Sequence, residues 1–187
     1  MFLLVCFGSA GFSQTKQQYD SLYQPLLGYS GNAKFDYFID PRGNRIKDGV
    51  FQFNSKSIDT LCGTNLVEVE WIGRYEKNVK AATWHYWHTS HDMVLTDVDT
   101  FNVKYKLESV KEHIEGSFKN GVPEGRWDLK SENFLDGERT GTVKSLSGRL
   151  EKSKFVGRVS FKGYDKNGNA YDVQGGARSG LMEDKWT

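Results

Sequence analysis

Proline and cysteine are scarce in this chain, with three prolines and two cysteines among 187 residues. With Cys6 inside an N-terminal apolar run, Cys62 is left alone in the body of the chain, so no internal disulfide is expected and the core must hold the domain together. No stretch reaches the run of about 20 apolar residues that a transmembrane helix requires, so no transmembrane segment is expected in the mature chain. Neither charge sign is in excess, with 25 Lys and Arg against 24 Asp and Glu. Nucleic-acid binders draw affinity from neutralising phosphates and carry a basic surplus, so nucleic acid is not an expected partner. Motifs for a nucleophile elbow, a phosphate loop and a dinucleotide fold are missing as well.

What is present points to strands. Aromatics make up 14% and glycine contributes 20 residues, within an ordinary 37% hydrophobic and 26% charged composition; aromatic runs broken by glycine favour strands and tight turns. Val67, Val69 and Trp71 alternate with Glu68 and Glu70, and Phe101, Val103, Tyr105 and Leu107 with Asn102, Lys104 and Lys106. A period of two gives one apolar and one wet face. The expected fold is mainly β, a single domain of successive antiparallel hairpins over 35–187. Residues 15–34 read as a linker or a short helix ending near Pro25. Residues 1–14 read as a cleaved secretory signal, an apolar Met1–Phe7 followed by small residues at Gly8–Gly11. No Lys or Arg precedes the apolar run, and the chain ends one residue after Trp186, so clipping at both ends is expected. A buried first strand is the alternative to the signal.

Three windows align without gaps. They are Trp71-Ile72-Gly73-Arg74-Tyr75 with Asn78 and Trp84, Ile114-Glu115-Gly116-Ser117-Phe118 with Gly121 and Trp127, and Val173-Gln174-Gly175-Gly176-Ala177 with Gly180 and Trp186. The apolar residue, the glycine and the aromatic lie two apart and face one side of a strand. The residue five after the glycine tolerates positive φ, as a hairpin turn demands. The tryptophan eleven after opens the return strand and can pack over the glycine. A second pattern, Asp40 to Ile46 and Asp165 to Tyr171, shares Asp, two residues, Gly-Asn, and weaker copies surround Asp136-Gly137 and Gly148.

Gly116-Ser117-Phe118-Lys119-Asn120-Gly121-Val122-Pro123-Glu124-Gly125-Arg126-Trp127 resembles the MORN repeat, particularly its degenerate bacterial variant. That resemblance implies an elongated or curved sheet of hairpins, roles in protein binding, scaffolding or lipid contact, and in some bacterial variants an antitoxin-like role.

Candidate chemistry was weighed residue by residue. His85, His88 and His91 invite a metal, but His85 and His88 point to opposite strand faces, so neither a metal nor another cofactor is expected. Asp165, Asn167, Asn169 and Asp172 read as a turn, since Ala170 and Gly176 stand where a calcium loop needs glycine and glutamate. Glu68, Glu70, Asp97 and Asp99 fall on wet faces, and Trp84 and Trp127 read as core. These features lead to an exported, non-enzymatic binding or structural protein of the envelope. Its partner would be a protein or a surface polymer, and it could pair with itself through edge strands. The alternatives are a cytoplasmic antitoxin-like protein and an enzyme with scattered residues.

Overall fold

Alternating apolar and polar residues give each strand a dry and a wet face, and the tight turns fold each strand back beside the last. The computed structural model describes residues 15–25, 29–58, 65–100, 102–164 and 167–183; these form one open, eleven-stranded antiparallel sheet in which neighbours follow chain order. The strands are β1 (Gln17–Tyr23), β2 (Gly31–Ile39), β3 (Arg45–Ile58), β4 (Asn65–Glu76), β5 (Val79–Asp99), β6 (Asn102–Lys119), β7 (Val122–Leu135), β8 (Glu138–Glu151), β9 (Lys154–Tyr164), β10 (Ala170–Arg178) and β11 (Leu181–Glu183). No helix occurs among the described residues. The expected class, all-β with successive hairpins, is the observed one. The segment 1–14, Cys62 and Trp186 lie outside the described residues.

One expectation is corrected. The described residues of 15–34 hold no helix: they form β1 and the start of β2, with short connections beside them. Tyr19 and Tyr23, four apart, suit a helix face as well as a strand face, and burial decides between them. Tyr19 stacks on Phe35 with ring centroids 4.6 Å apart, and Tyr23 meets Phe35, Phe51 and Phe53 edge-on.

The repeat is more regular in space than in sequence. Asn78, Gly121 and Gly180 all have positive φ as the second residue of two-residue turns, following Lys77, Asn120 and Ser179, which are also left-handed. Lys152 and Ser153 repeat this geometry after Gly148. In each copy the strand pair is offset at the base position, between Ile72/Arg74, Gly116/Ser117 and Ser147/Arg149, and again between Phe35/Tyr37. A left-handed residue sits in each offset, Gly49, Ala82, Gly125 or Gly157. The large residue that follows pairs with the base glycine of the next copy: Phe51 with Gly73, Trp84 with Gly116, Trp127 with Gly148, Val159 with Gly175. The three windows are thus five copies, starting at Phe35, Gly73, Gly116, Gly148 and Gly175.

Turns also tie copy to copy. The N–H of Asn78 donates to Lys47 O, Gly121 to Lys80 O, Ser153 to Pro123 O and Gly180 to Phe155 O, at 2.8–3.1 Å. The turns after β4, β6, β8 and β10 are therefore each pinned to the strand before their hairpin, which fixes the stacking of these hairpins along one end of the sheet. The Asp40 motif is a local turn, with Asp40 accepting from the N–H groups of Arg42 and Asn44 and from the Asn44 amide. Those bonds, the Asn44 side chain first, hold its carboxyl below the ordinary range.

The main core lies on one face over β2–β5. Ala33, Phe35, Tyr37, Phe51, Phe53, Val69 and Trp84 are buried there, with Tyr19, Tyr23, Trp71, Tyr75, Tyr86 and Phe118 packed around them. Two lysines enter this aromatic field. Lys47 Nζ lies 4.9–5.5 Å from the ring centroids of Tyr23, Phe35, Phe51 and Tyr75, and Lys80 sits over Trp84, Tyr86 and Phe118. Each adds cation–π attraction and a hydrogen bond to a tyrosine hydroxyl, Lys47 to Tyr23 and Lys80 to Tyr86. Burial pushes the Tyr75 hydroxyl up to about 12 and lowers the Lys80 ammonium.

Ala82 is the one non-glycine among the four left-handed offset residues. An alanine there carries roughly 1 kcal/mol of backbone strain that glycine avoids, and its methyl is exposed. Ala82→Gly is therefore expected to raise the melting temperature by about 1–3 °C, read by calorimetry. An unchanged or lower value would place the strain elsewhere.

Candidate functional site

Strand lengths determine what the sheet leaves uncovered. β4 pairs with β5 only as far as Asp92, and β7 pairs with β6 only from Glu108. Residues 93–107 continue past these limits as a two-stranded arm, paired through Met93↔Leu107, Leu95↔Tyr105, Asp97↔Lys104 and Val98↔Val103. This register puts Met93, Leu95, Val98, Val103, Tyr105 and Leu107 on one face and Lys104 and Lys106 on the other. The apolar face was legible in the alternation from Val103 to Leu107, but it does not enter the core. Leu95 is 58% exposed, Val98 63%, Val103 62% and Tyr105 62%. Asp97 is paired with Lys104 at 3.3 Å across the wet face. Phe101 lies outside the described residues.

A second cluster lies on the outer face of β5 and β6. His85 and His113 approach at 3.3 Å, Nδ1 to Nε2, and Glu115 Oε2 is 3.7 Å from His85 Nδ1. The Trp87 ring is parallel to both imidazoles, within 11° and 5°, at centroid distances of 5.2 and 4.9 Å. Of the three histidines singled out by sequence, only His85 belongs here. His88 is on the core face near Glu112 at 3.8 Å, so His85 and His88 do point apart. His91 joins a different chain of contacts. His113 was not picked out by sequence reading; the available signal was His113-Ile114-Glu115, which places two ligand types on one strand face.

His91 Nδ1 is 2.8 Å from Ser109 Oγ, its Nε2 is 3.7 Å from Glu68, and Glu68 is 2.7 Å from Lys56. The Lys56 bond, ahead of His91, keeps the Glu68 carboxyl low. A serine, a histidine and a carboxylate in series resemble an activated nucleophile. Ser109 is buried, however, and its strand is paired on both sides, with His91 and with Phe134. The main-chain N–H groups that would hold an oxyanion are committed to those ladders, so the series ties β3, β4, β5 and β6 together. Lys56 and Glu68 also line a groove of about 580 Å³ with Asn54, Trp87 and Thr89. On the core face, Glu112 bonds Lys144 at 2.8 Å, which lowers its carboxyl.

No family model matches this chain, and no curated protein or solved structure matches it either. Function has to be argued from these surfaces.

The repeat residues chosen from sequence take structural places. Gly73 and Gly116 lie beneath Trp84 and Trp127, Tyr75 and Phe118 border the same aromatic layer, and Asn78, Gly121 and Gly180 make turns. Gly175 pairs with Val159. None of them belongs to the arm or the histidine cluster. No described helix is long and apolar enough to cross a membrane.

Proposed function

We propose that this chain is an exported, non-enzymatic binding protein of the MORN-repeat kind, secreted or periplasmic, which engages another envelope protein through the arm at 93–107. The observation that carries this reading is a row of six apolar side chains on one face of a hairpin that the other described strands leave uncovered. Exposed apolar surface of this kind marks interaction sites. Aliphatic side chains dominate the row, with Tyr105 its one aromatic, and such a face suits an apolar protein groove better than a sugar polymer, which favours aromatic platforms and hydrogen bonds. Among the described residues no strand lies beside the arm past Asp92 on one edge, or past Leu107, which Asp136 caps, on the other, so both edges are open to added strands from a partner. Export rests on the apolar segment at 1–14, and the repeat kinship on the Gly116–Trp127 window.

A photo-crosslinking residue at Leu95, in cells making the full chain, tests the reading. The expected product is one adduct of discrete mass in the envelope or secreted fraction, absent when the probe sits at Lys106 on the opposite face. Failure to crosslink from Leu95 would overturn the arm as the contact. An adduct confined to the cytoplasm would overturn export and favour the antitoxin-like alternative.

A further inference from the structure

We infer that His85, His113 and Glu115 form a binding site for a first-row divalent metal ion of the zinc class on the outer face of β5 and β6. Zinc–nitrogen bonds of about 2.0–2.1 Å in a tetrahedral arrangement set two ligand nitrogens roughly 3.3–3.4 Å apart. His85 Nδ1 and His113 Nε2 stand 3.3 Å apart, and Glu115 Oε2 is 3.7 Å from His85 Nδ1. One ligand atom from each of the three residues falls within 4.8 Å of the others, so a turn of each imidazole in its plane, with rotation of the carboxylate, closes the set. Two imidazoles and a carboxylate are a donor combination that suits zinc and its neighbours, and three protein ligands leave a fourth position for water.

The strands supply pre-organisation. His113 and Glu115 are two apart on β6 and share a face, and Trp87 of β5 is paired directly with His113. Trp87 lies parallel to both imidazole rings, so the rotamers are held by packing before any ion arrives. The two imidazole nitrogens in contact cannot both be protonated without repulsion. Residues facing the cluster are mixed in charge: Glu70 and Ile72 from β4, and Asp128 and Lys130 from β7. The side chains of His85 and Glu115 are 32% and 48% exposed, so an ion has a path from solvent.

Zinc titration of the full chain by calorimetry, with cobalt absorption as a second readout, tests the site. The expected result is one ion per chain, with affinity falling at least tenfold in His85→Ala and His113→Ala and less in Glu115→Gln. His88→Ala, on the opposite face, should bind as the parent does. Zinc should raise the melting temperature of the parent but not of His113→Ala, because an ion that binds only the folded state stabilises it. His113→Asn, close in shape, guards against loss of fold in the alanine variant. Absence of saturable binding, or equal binding by the parent and both histidine variants, would reduce the cluster to a hydrogen-bonded imidazole pair and overturn the inference.

Discussion

Gly73→Ala is expected to destabilise the protein by about 3 kcal/mol or more, a loss out of proportion to one methyl group. A Cβ on Gly73 would fall well inside contact distance of the Trp84 indole atoms Cδ2, Cε2 and Cε3. Trp84 has no slack to yield. It is 1% exposed, its Nε1 donates to Arg74 O at 3.2 Å, and Phe51, Tyr75, Tyr86 and Phe118 surround its ring. Forcing an added group into a packed site costs roughly 1–3 kcal/mol, and expelling the indole would forfeit part of the 3–5 kcal/mol that a buried tryptophan is worth against alanine. The check is a double-mutant cycle by denaturant unfolding. Trp84→Ala alone should cost about 3–5 kcal/mol, and Gly73→Ala on that background almost nothing more, since the obstacle is gone. Additive losses would mean that glycine serves the backbone of β4 and not the indole. Gly116 and Trp127 repeat the contact, with one difference: the Trp127 Nε1 has no hydrogen-bond partner among the described residues, so a smaller loss is expected there.

The same geometry explains which parts of the fold were legible. Glycine, aromatic and tryptophan at fixed offsets mark a copy wherever the indole itself fills the space over the glycine. The copy at Gly148 was faint because Val159 stands in the tryptophan's place. There Phe155 fills the gap, 2.8 Å from where a Gly148 Cβ would lie. Ser153 also adopts a positive φ that a sequence reader assigns to glycine or asparagine. The copy at Phe35 was hidden further, since a phenylalanine occupies the glycine position and a longer turn closes the hairpin. Ala82 stands where the second copy has Gly125, and both backbones are left-handed. In each case tertiary packing fixes the shape and the residue type follows only loosely.

The candidate sites were less legible, for a different reason. Periodicity reports which face of a strand a residue occupies, and it is silent on which strands are neighbours and where they stop. His113 lies 28 residues from His85, and only the register Trp87↔His113 brings them together. The arm shows the same limit. Its alternation gives an apolar and a wet face but does not tell that the described parts of β4 and β7 end short of it.

Removing the arm should abolish partner capture while leaving the sheet almost untouched. In the test, residues 93–107 are replaced by Asn-Gly, which closes Asp92 and Glu108 with a tight turn. The ladder pairs within 93–107 are made between β5 and β6 alone; outside the arm only the Asp136 turn loses partners, its bonds with Leu107 N and O, so the other ladders and the core are kept. Loop-closure entropy changes by only about 0.6 kcal/mol per doubling of length, and a solitary hairpin contributes little stability in water. The melting temperature is therefore expected to stay within about 3 °C of the parent. Binding should behave oppositely. One face of the arm, about six residues along and two strands wide, spans on the order of 20 by 10 Å. That is below the roughly 800 Å² per partner of a stable complex, so the partner that covers this face must also add a strand at an edge. This mode depends wholly on the arm, and capture from envelope extracts should fall to background. A milder change, Leu95→Asp with Val103→Asp, should give the same loss with the hairpin retained, because a charge desolvated in an apolar groove is costly. If the shortened chain captured its partner as well as the parent does, the contact would lie on the sheet and the arm would have no part in it.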